Sequence, residues 1–230
     1  MHVKFMPEKH IERAASELLF AYGQRYGEVA APPVPAEEII ECHFGLSLDF
    51  DDLRTRFADS GVLGATWIED KKVLIDQSLD PTTNPRIEGR YRFTVAHEAG
   101  HWVLHRHQLV ESRGAPLFDG TPAPSVICRN TANKPPIERQ ADYFAGYLLM
   151  PEEMVRRAWA DLTGDVAPYV AEDELQQLRQ RFGLADDEQP TVDVAKRMAD
   201  VFHVSGQAMQ IRLLALHLVL PKKPPPSLFD

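Results

Sequence analysis

Apolar positions recur at helical spacing in the first stretch of the chain. Ile11, Ala14, Ala15, Leu18, Leu19 and Tyr22 fall on one face, which predicts a helix from about Pro7 to Tyr26. A proline-rich link, Ala31 to Pro35, follows, and Pro35 suits the first turn of a short helix carrying Ile39 and Ile40. The pattern then changes period. Leu46, Leu48 and Phe50 alternate with polar residues, as in a strand. Two apolar runs, Val62 to Ile68 and Val73 to Ile75, flank Glu69-Asp70-Lys71-Lys72 and read as a hairpin.

Helical spacing returns downstream. Asn84 before Pro85 marks a helix start, and a central helix is expected over Glu88 to Arg106. The stretch from Glu111 to Pro136, rich in Pro, Gly, Ser and Thr, is expected to be irregular, and loops of that length usually carry function. A helix is expected over Ile137 to Met150, and Pro151-Glu152-Glu153 opens another. The last third is expected to be wholly helical. Leu175, Leu178 and Phe182 form a stripe, and Val192–Phe202 with Ser205–Leu218 resembles a helix-turn-helix, Ser205 being the cap of its second member. The tail PKKPPPSLFD is proline-rich and expected to pack loosely.

Composition narrows the function. The 230 residues carry a formal charge of −9, which disfavours a phosphate backbone as partner. DNA binding is therefore not expected, and the second helix of the C-terminal pair offers only Arg212 as a basic residue. Two cysteines without a CxxC pair fit a reducing, cytoplasmic setting. No apolar run is long enough for a bilayer, so no membrane partner is expected.

The chemistry concentrates at His97-Glu98-Ala99-Gly100-His101, an HExxH motif inside the expected central helix. Residues four apart share a helix face, so His97 and His101 can bind one metal ion, and Glu98 can act as general base without being a ligand. The bland alternative is a helix with two unrelated histidines. A catalytic zinc needs a third protein ligand, and three candidates stand out. His107 would require a chain reversal where Leu104 stands. His105 lies near the right face but about 12 Å along the axis from His97, which leaves it a role behind the ligands, on the substrate side, or as a helix-terminal histidine on the dipole. Glu138 opens the later helix, and Asp142, four residues on, shares its face and could orient an imidazole. Glu111, Glu152 and Glu153 are rival carboxylates, so spacing favours Glu138 only modestly. Cys128, in the loop between the two helices, could cap a metal, but a small buried strand residue is the simpler reading.

The segments RYRFTVAHEAGHWVLHR, Arg90 to Arg106, and IERQADYFAGYLLMP, Ile137 to Pro151, resemble the ImmA/IrrE family of metallopeptidases. The hairpin before them and Val204 to Leu214 are also typical, so the resemblance covers most of Asn84 to Leu218. It implies an α+β fold: a thermolysin-like minimal zinc peptidase core, with a small antiparallel sheet and active-site helices, over residues 1–155. A helical region, 156–220, and a tail, 221–230, would follow. It also implies one zinc ion, with manganese as an alternative, held by His97, His101 and Glu138, with Asp142 behind the ligands. The expected activity is cleavage of a helix-turn-helix transcriptional repressor, with a substrate strand pairing along an edge at Val62 to Ile68. Transition-state donors are left open among His105, His107, Tyr143 and Tyr147. A non-proteolytic protein that binds a repressor or DNA is the alternative.

Overall fold

The computed structural model describes residues 5–111, 123–129, 134–185 and 189–223. The chain divides into two compact units, residues 1–151 and 152–230, at Pro151.

The first unit opens with α1, Glu8–Tyr26, which buries Ile11, Ala15, Leu18 and Tyr22 of the apolar stripe and leaves Ala14 and Leu19 half-buried. α2, Ala36–Glu38, runs directly into a π-helical turn, Ile39–His43, that buries Ile39 and Ile40. Strand β1, Ser47–Asp51, leads to a short helix α3, Leu53–Phe57, capped by Asp52. β2, Val62–Trp67, and β3, Lys72–Asp76, form the expected antiparallel hairpin. Asn84 accepts from the Arg86 N–H ahead of the turn Pro85–Ile87 that precedes α4, Glu88–Gly100. α4 passes through a π-helical turn, His101–His105, into α5, Arg106–Glu111. β4, Val126–Arg129, precedes α6, Pro136–Leu149.

The sheet order is β1-β3-β2-β4. β1 runs parallel to β3, so the sheet is mixed, not antiparallel throughout. Alternation predicts a strand but carries no direction, and the crossover between β1 and β3 is long enough for either sense. β2 is an inner strand, paired on its outer side with β4. The edge expected to receive a substrate strand is therefore filled by the chain itself.

Every residue of β2 is buried. One face of the sheet packs Leu53, Val62, Ala65, Trp67 and Leu74 together, with Phe57 and Ile127 against them. The other face lies under α4. A bulge between Val62 and Gly64 lets Val62 join the first face while Gly64 and Thr66 turn to the helix. A strand covered on both sides reads as a continuous apolar run, as Val62 to Ile68 does.

In the second unit, α7, Glu152–Thr163, buries Met154, Val155 and Trp159. β5, Tyr169–Val170, and β6, Val219–Leu220, form a two-stranded parallel ladder on either side of α8, Glu172–Phe182, α9, Asp193–Phe202, and α10, Gly206–Ala215. This corrects the expectation of a wholly helical third; two-residue strands carry no periodic signal. The helix pair is present. α9 ends at His203 in the left-handed region, φ 52°, and Ser205 caps α10 through Ala208 N–H at 3.1 Å. No helix among the described residues is long and apolar enough to cross a membrane. Most of the proline-rich tail, from 224 on, lies outside the described residues.

Candidate metal centre

α4 crosses α6 closely at Gly100. A Cβ there would stand 3.2 Å from the Ala141 Cα and 3.2 Å from Phe144 Cβ and Cδ1. The small residue lets the backbones approach, and this approach brings the HExxH face of α4 against the first turn of α6.

Three donors converge in that crevice. His97 Nε2 lies 3.0 Å from His101 Nε2, and Glu138 offers Oε2 to His97 and Oε1 to His101, each at 3.3 Å. Donors bound about 2.0–2.1 Å from a tetrahedral zinc stand about 3.3 Å apart, so the spacing fits one ion. His97, His101 and Glu138 are 1%, 0% and 6% exposed. Glu138 Oε2 is buried without a hydrogen-bond partner. An acceptor left bare at that depth is costly unless a cation or donor faces it. Two imidazoles and a carboxylate form a donor set suited to zinc.

Each imidazole is held from behind. His97 Nδ1 lies 3.0 Å from Asp142 Oδ1, and Lys134 Nζ holds Asp142 at 2.7 and 2.9 Å. His101 Nδ1 lies 3.1 Å from His105 Nδ1, and His105 Nε2 lies 2.9 Å from Gln140 Oε1. One proton assignment serves all these contacts. His105 donates from Nε2 to Gln140, His101 donates from Nδ1 to His105, and His97 donates from Nδ1 to Asp142. Both Nε2 lone pairs then face Glu138.

The electrostatics agree. Burial, the largest cause, lowers His101 to about 4, so it is neutral near pH 7. Against burial, contacts from His101 and His97 hold Glu138 well below the ordinary carboxylate range. Asp142 is lowered, again against burial, by His97 and Lys134. His97 is raised despite burial, because Cys128, Asp142 and Glu138 surround it.

Glu98 lies beside the ligands, fully buried. Thr66 Oγ1 donates to its Oε2 at 2.5 Å, whereas its Oε1 has no hydrogen-bond partner. Burial raises its pKa to about 7. Gly64 makes room for it, since a Cβ there would lie 2.5 Å from Glu98 Oε1.

The remaining expected residues do not join the centre. His105 is 0% exposed behind His101, with both ring nitrogens engaged, so it does not face a substrate as a transition-state donor. The Tyr147 hydroxyl bonds Glu8 on α1 at 3.1 Å. Tyr143 is exposed and about 140° around α6 from Glu138. His107 is exposed on α5. Arg212 is buried, which removes the one basic residue of α10 from a DNA-facing role. Thr66, Gly64, Lys134 and Gln140 went unread in the sequence. Only Gly64 carried a signal, since glycine inside a strand marks a close approach.

The model of the IrrE N-terminal-like domain matches residues 66–214. No curated protein matches the chain. Among solved structures, a Mycobacterium tuberculosis transcriptional regulator is similar with a TM-score of 0.45 and 16% identity, over 90% of this chain and 52% of that one. The chain thus spans about half the length of that structure. The matched family domain contains every residue of the metal centre and its supports, from Thr66 to Asp142, and the chain belongs to the ImmA/IrrE family.

Proposed function

We propose that this protein is a zinc-dependent endopeptidase that cleaves a helix-turn-helix repressor. The observation that carries the reading is the convergence of His97, His101 and Glu138 at 3.0–3.3 Å beside a buried Glu98. The family supports the peptidase class, and the likeness of its two helical motifs to anti-repressor peptidases supports the substrate class. Manganese is the alternative ion.

Zinc in such a centre supplies Lewis acidity, polarising a carbonyl and acidifying water. The rest is done by the chain. Glu98 takes a proton from the attacking water at its free Oε1 and returns it to the leaving nitrogen. A buried carboxylate whose pKa burial raises is suited to take and return a proton. Thr66 fixes the other oxygen, so the carboxylate need not reorient between the two transfers. Asp142 and His105 keep the imidazole lone pairs aimed forward.

The test is co-expression of a genomically adjacent helix-turn-helix repressor with wild type and with Glu98→Gln. Loss of repressor cleavage and of de-repression in Glu98→Gln is expected, with zinc content unchanged. De-repression that survives the substitution would refute proteolysis and favour a binding protein.

A further inference from the structure

Cys128 has no part in the chemistry above, yet β4 brings it to the metal centre. The register of β4 on β2 sets Cys128 opposite Gly64. Directly opposed residues in an antiparallel ladder project to the same face. Gly64 faces Glu98 on α4, so Cys128 points to α4 as well. Its thiol lies within hydrogen-bonding reach of His97. One donor atom from each of His97, Cys128 and Glu138 lies within 4.8 Å of the others. This group shares His97 and Glu138 with the His97–His101–Glu138 group. At that shared edge, Glu138 Oε2 is buried and has no hydrogen-bond partner.

Resting on the metallopeptidase reading, we propose that Cys128 Sγ is the fourth protein ligand of the bound ion, and that the chain as folded here is a latent form of the peptidase. A catalytic zinc keeps one position open, whereas four protein ligands make a closed centre of the structural kind. Two imidazoles, a carboxylate and a thiolate make a closed set. On binding, the S–H bond breaks, the sulfur–metal bond forms, and the proton passes to solvent.

Burial points the same way. His97, Glu98, His101, Cys128 and Glu138 are all at most 6% exposed, so the centre is enclosed in this arrangement. β4 also occupies the β2 ladder that a substrate strand would use. One four-residue strand thus closes the centre twice, with its backbone on β2 and its thiol on the ion. An ion pair between Arg129 and Asp59, at 2.9 Å, ties β4 down. Release of β4 would open both positions together.

Cobalt(II) replaces zinc in such centres and reports its ligands by absorption, independently of activity. The full chain is loaded with cobalt as wild type, Cys128→Ala and Cys42→Ala. A near-ultraviolet thiolate-to-cobalt band is expected in wild type and Cys42→Ala and lost in Cys128→Ala, with visible cobalt bands in all three. Azide, a small anion that takes an open position, should shift the visible bands of Cys128→Ala and leave those of wild type unchanged. Visible bands without a thiolate band in wild type would overturn the inference and leave the metallopeptidase reading intact. A thiolate band that persists in Cys128→Ala, or an azide shift in wild type, would also overturn it. Failure of wild type to bind cobalt would overturn both readings.

Discussion

The Nδ1 atoms of His101 and His105 stand 3.1 Å apart, one turn along the same helix, and Gln140 Oε1 on α6 closes the chain at 2.9 Å from His105 Nε2. A neutral imidazole has one donor and one acceptor nitrogen, so the acceptor at Gln140 sets the tautomer of both rings. Gln140→Leu removes that acceptor and frees His101 to carry its proton on Nε2, where a metal must bind. Zinc affinity should fall by about 10–100-fold, as for other supports of a metal-bound histidine. Gln140→Glu keeps an acceptor and should retain affinity. Competition titration against a chelating dye measures both.

Gly64 and Glu98 define a second dependence. A methyl at position 64 would stand 2.5 Å from Glu98 Oε1 and 3.1 Å from Thr94 Cγ2. Glu98 cannot swing into solvent, because it is fully buried and tied to Thr66. Gly64→Ala should therefore displace the carboxylate from its working position and cost about 1–3 kcal/mol by overpacking. The expected result is a variant that retains zinc, melts lower and cleaves poorly. Zinc content, thermal midpoint and repressor cleavage, measured together, separate this from simple unfolding.

Gly100 governs the distance between the two helices that carry the ligands. Three atoms of α6, one of them the Ala141 Cα, would meet a new Cβ at 3.2 Å. A backbone atom cannot step aside as a side-chain tip can, so Gly100→Ala must push α4 and α6 apart. His97 and His101 would then move away from Glu138. Both stability and zinc affinity should fall, the first by about 1–3 kcal/mol. Chemical denaturation with and without zinc checks the pair of effects.

The parts of this centre that were legible in the sequence lie within single helices. His97 and Glu98 lie on α4 and His101 opens the π-helical turn that continues it, and Glu138 and Asp142 share α6, so covalent spacing alone orders each set. Joining the two sets needed the likeness to a known family, since spacing left several carboxylates in competition. Thr66 was not legible, and the sequence offered Cys128 as a metal cap without deciding for it, because both placements depend on strand register, and register is a tertiary property. For His105 the sequence left a place behind the ligands and a place on the substrate side both open. The chain makes a π-helical turn from His101 to His105, which ideal-helix spacing does not foresee, and the ring packs behind His101. The parallel pairing of β1 was hidden because alternation looks the same in either direction.

Alkaline pH should test a contact far from the metal. The Tyr22 hydroxyl of α1 donates to Glu38 Oε2 of α2 at 2.6 Å. Burial and that carboxylate raise its pKa to about 12, from 10.0 in an exposed tyrosine. A raised pKa stabilises the fold fully below about pH 10, and the contribution is lost as pH climbs through 12. Tyr22→Phe should cost about 1 kcal/mol at neutral pH and flatten the loss of stability between pH 10 and 12. Urea midpoints measured across that window give the comparison.

Metal removal should destabilise the first unit specifically. Without a cation, Glu138 Oε2 and Glu98 Oε1 remain buried without hydrogen-bond partners, and the lone pairs of two imidazoles face Glu138. An ion that binds only the folded form adds stability of RT ln(1 + [L]/Kd), about 2.7 kcal/mol at a hundredfold excess over Kd. The melting temperature should thus climb with free zinc and drop on adding a chelator. Glu138→Ala removes a ligand and relieves the buried charge at once. Its melting temperature should therefore respond less to zinc than that of wild type. A zinc-dependent shift in Glu138→Ala as large as in wild type would mean that the third ligand is another residue.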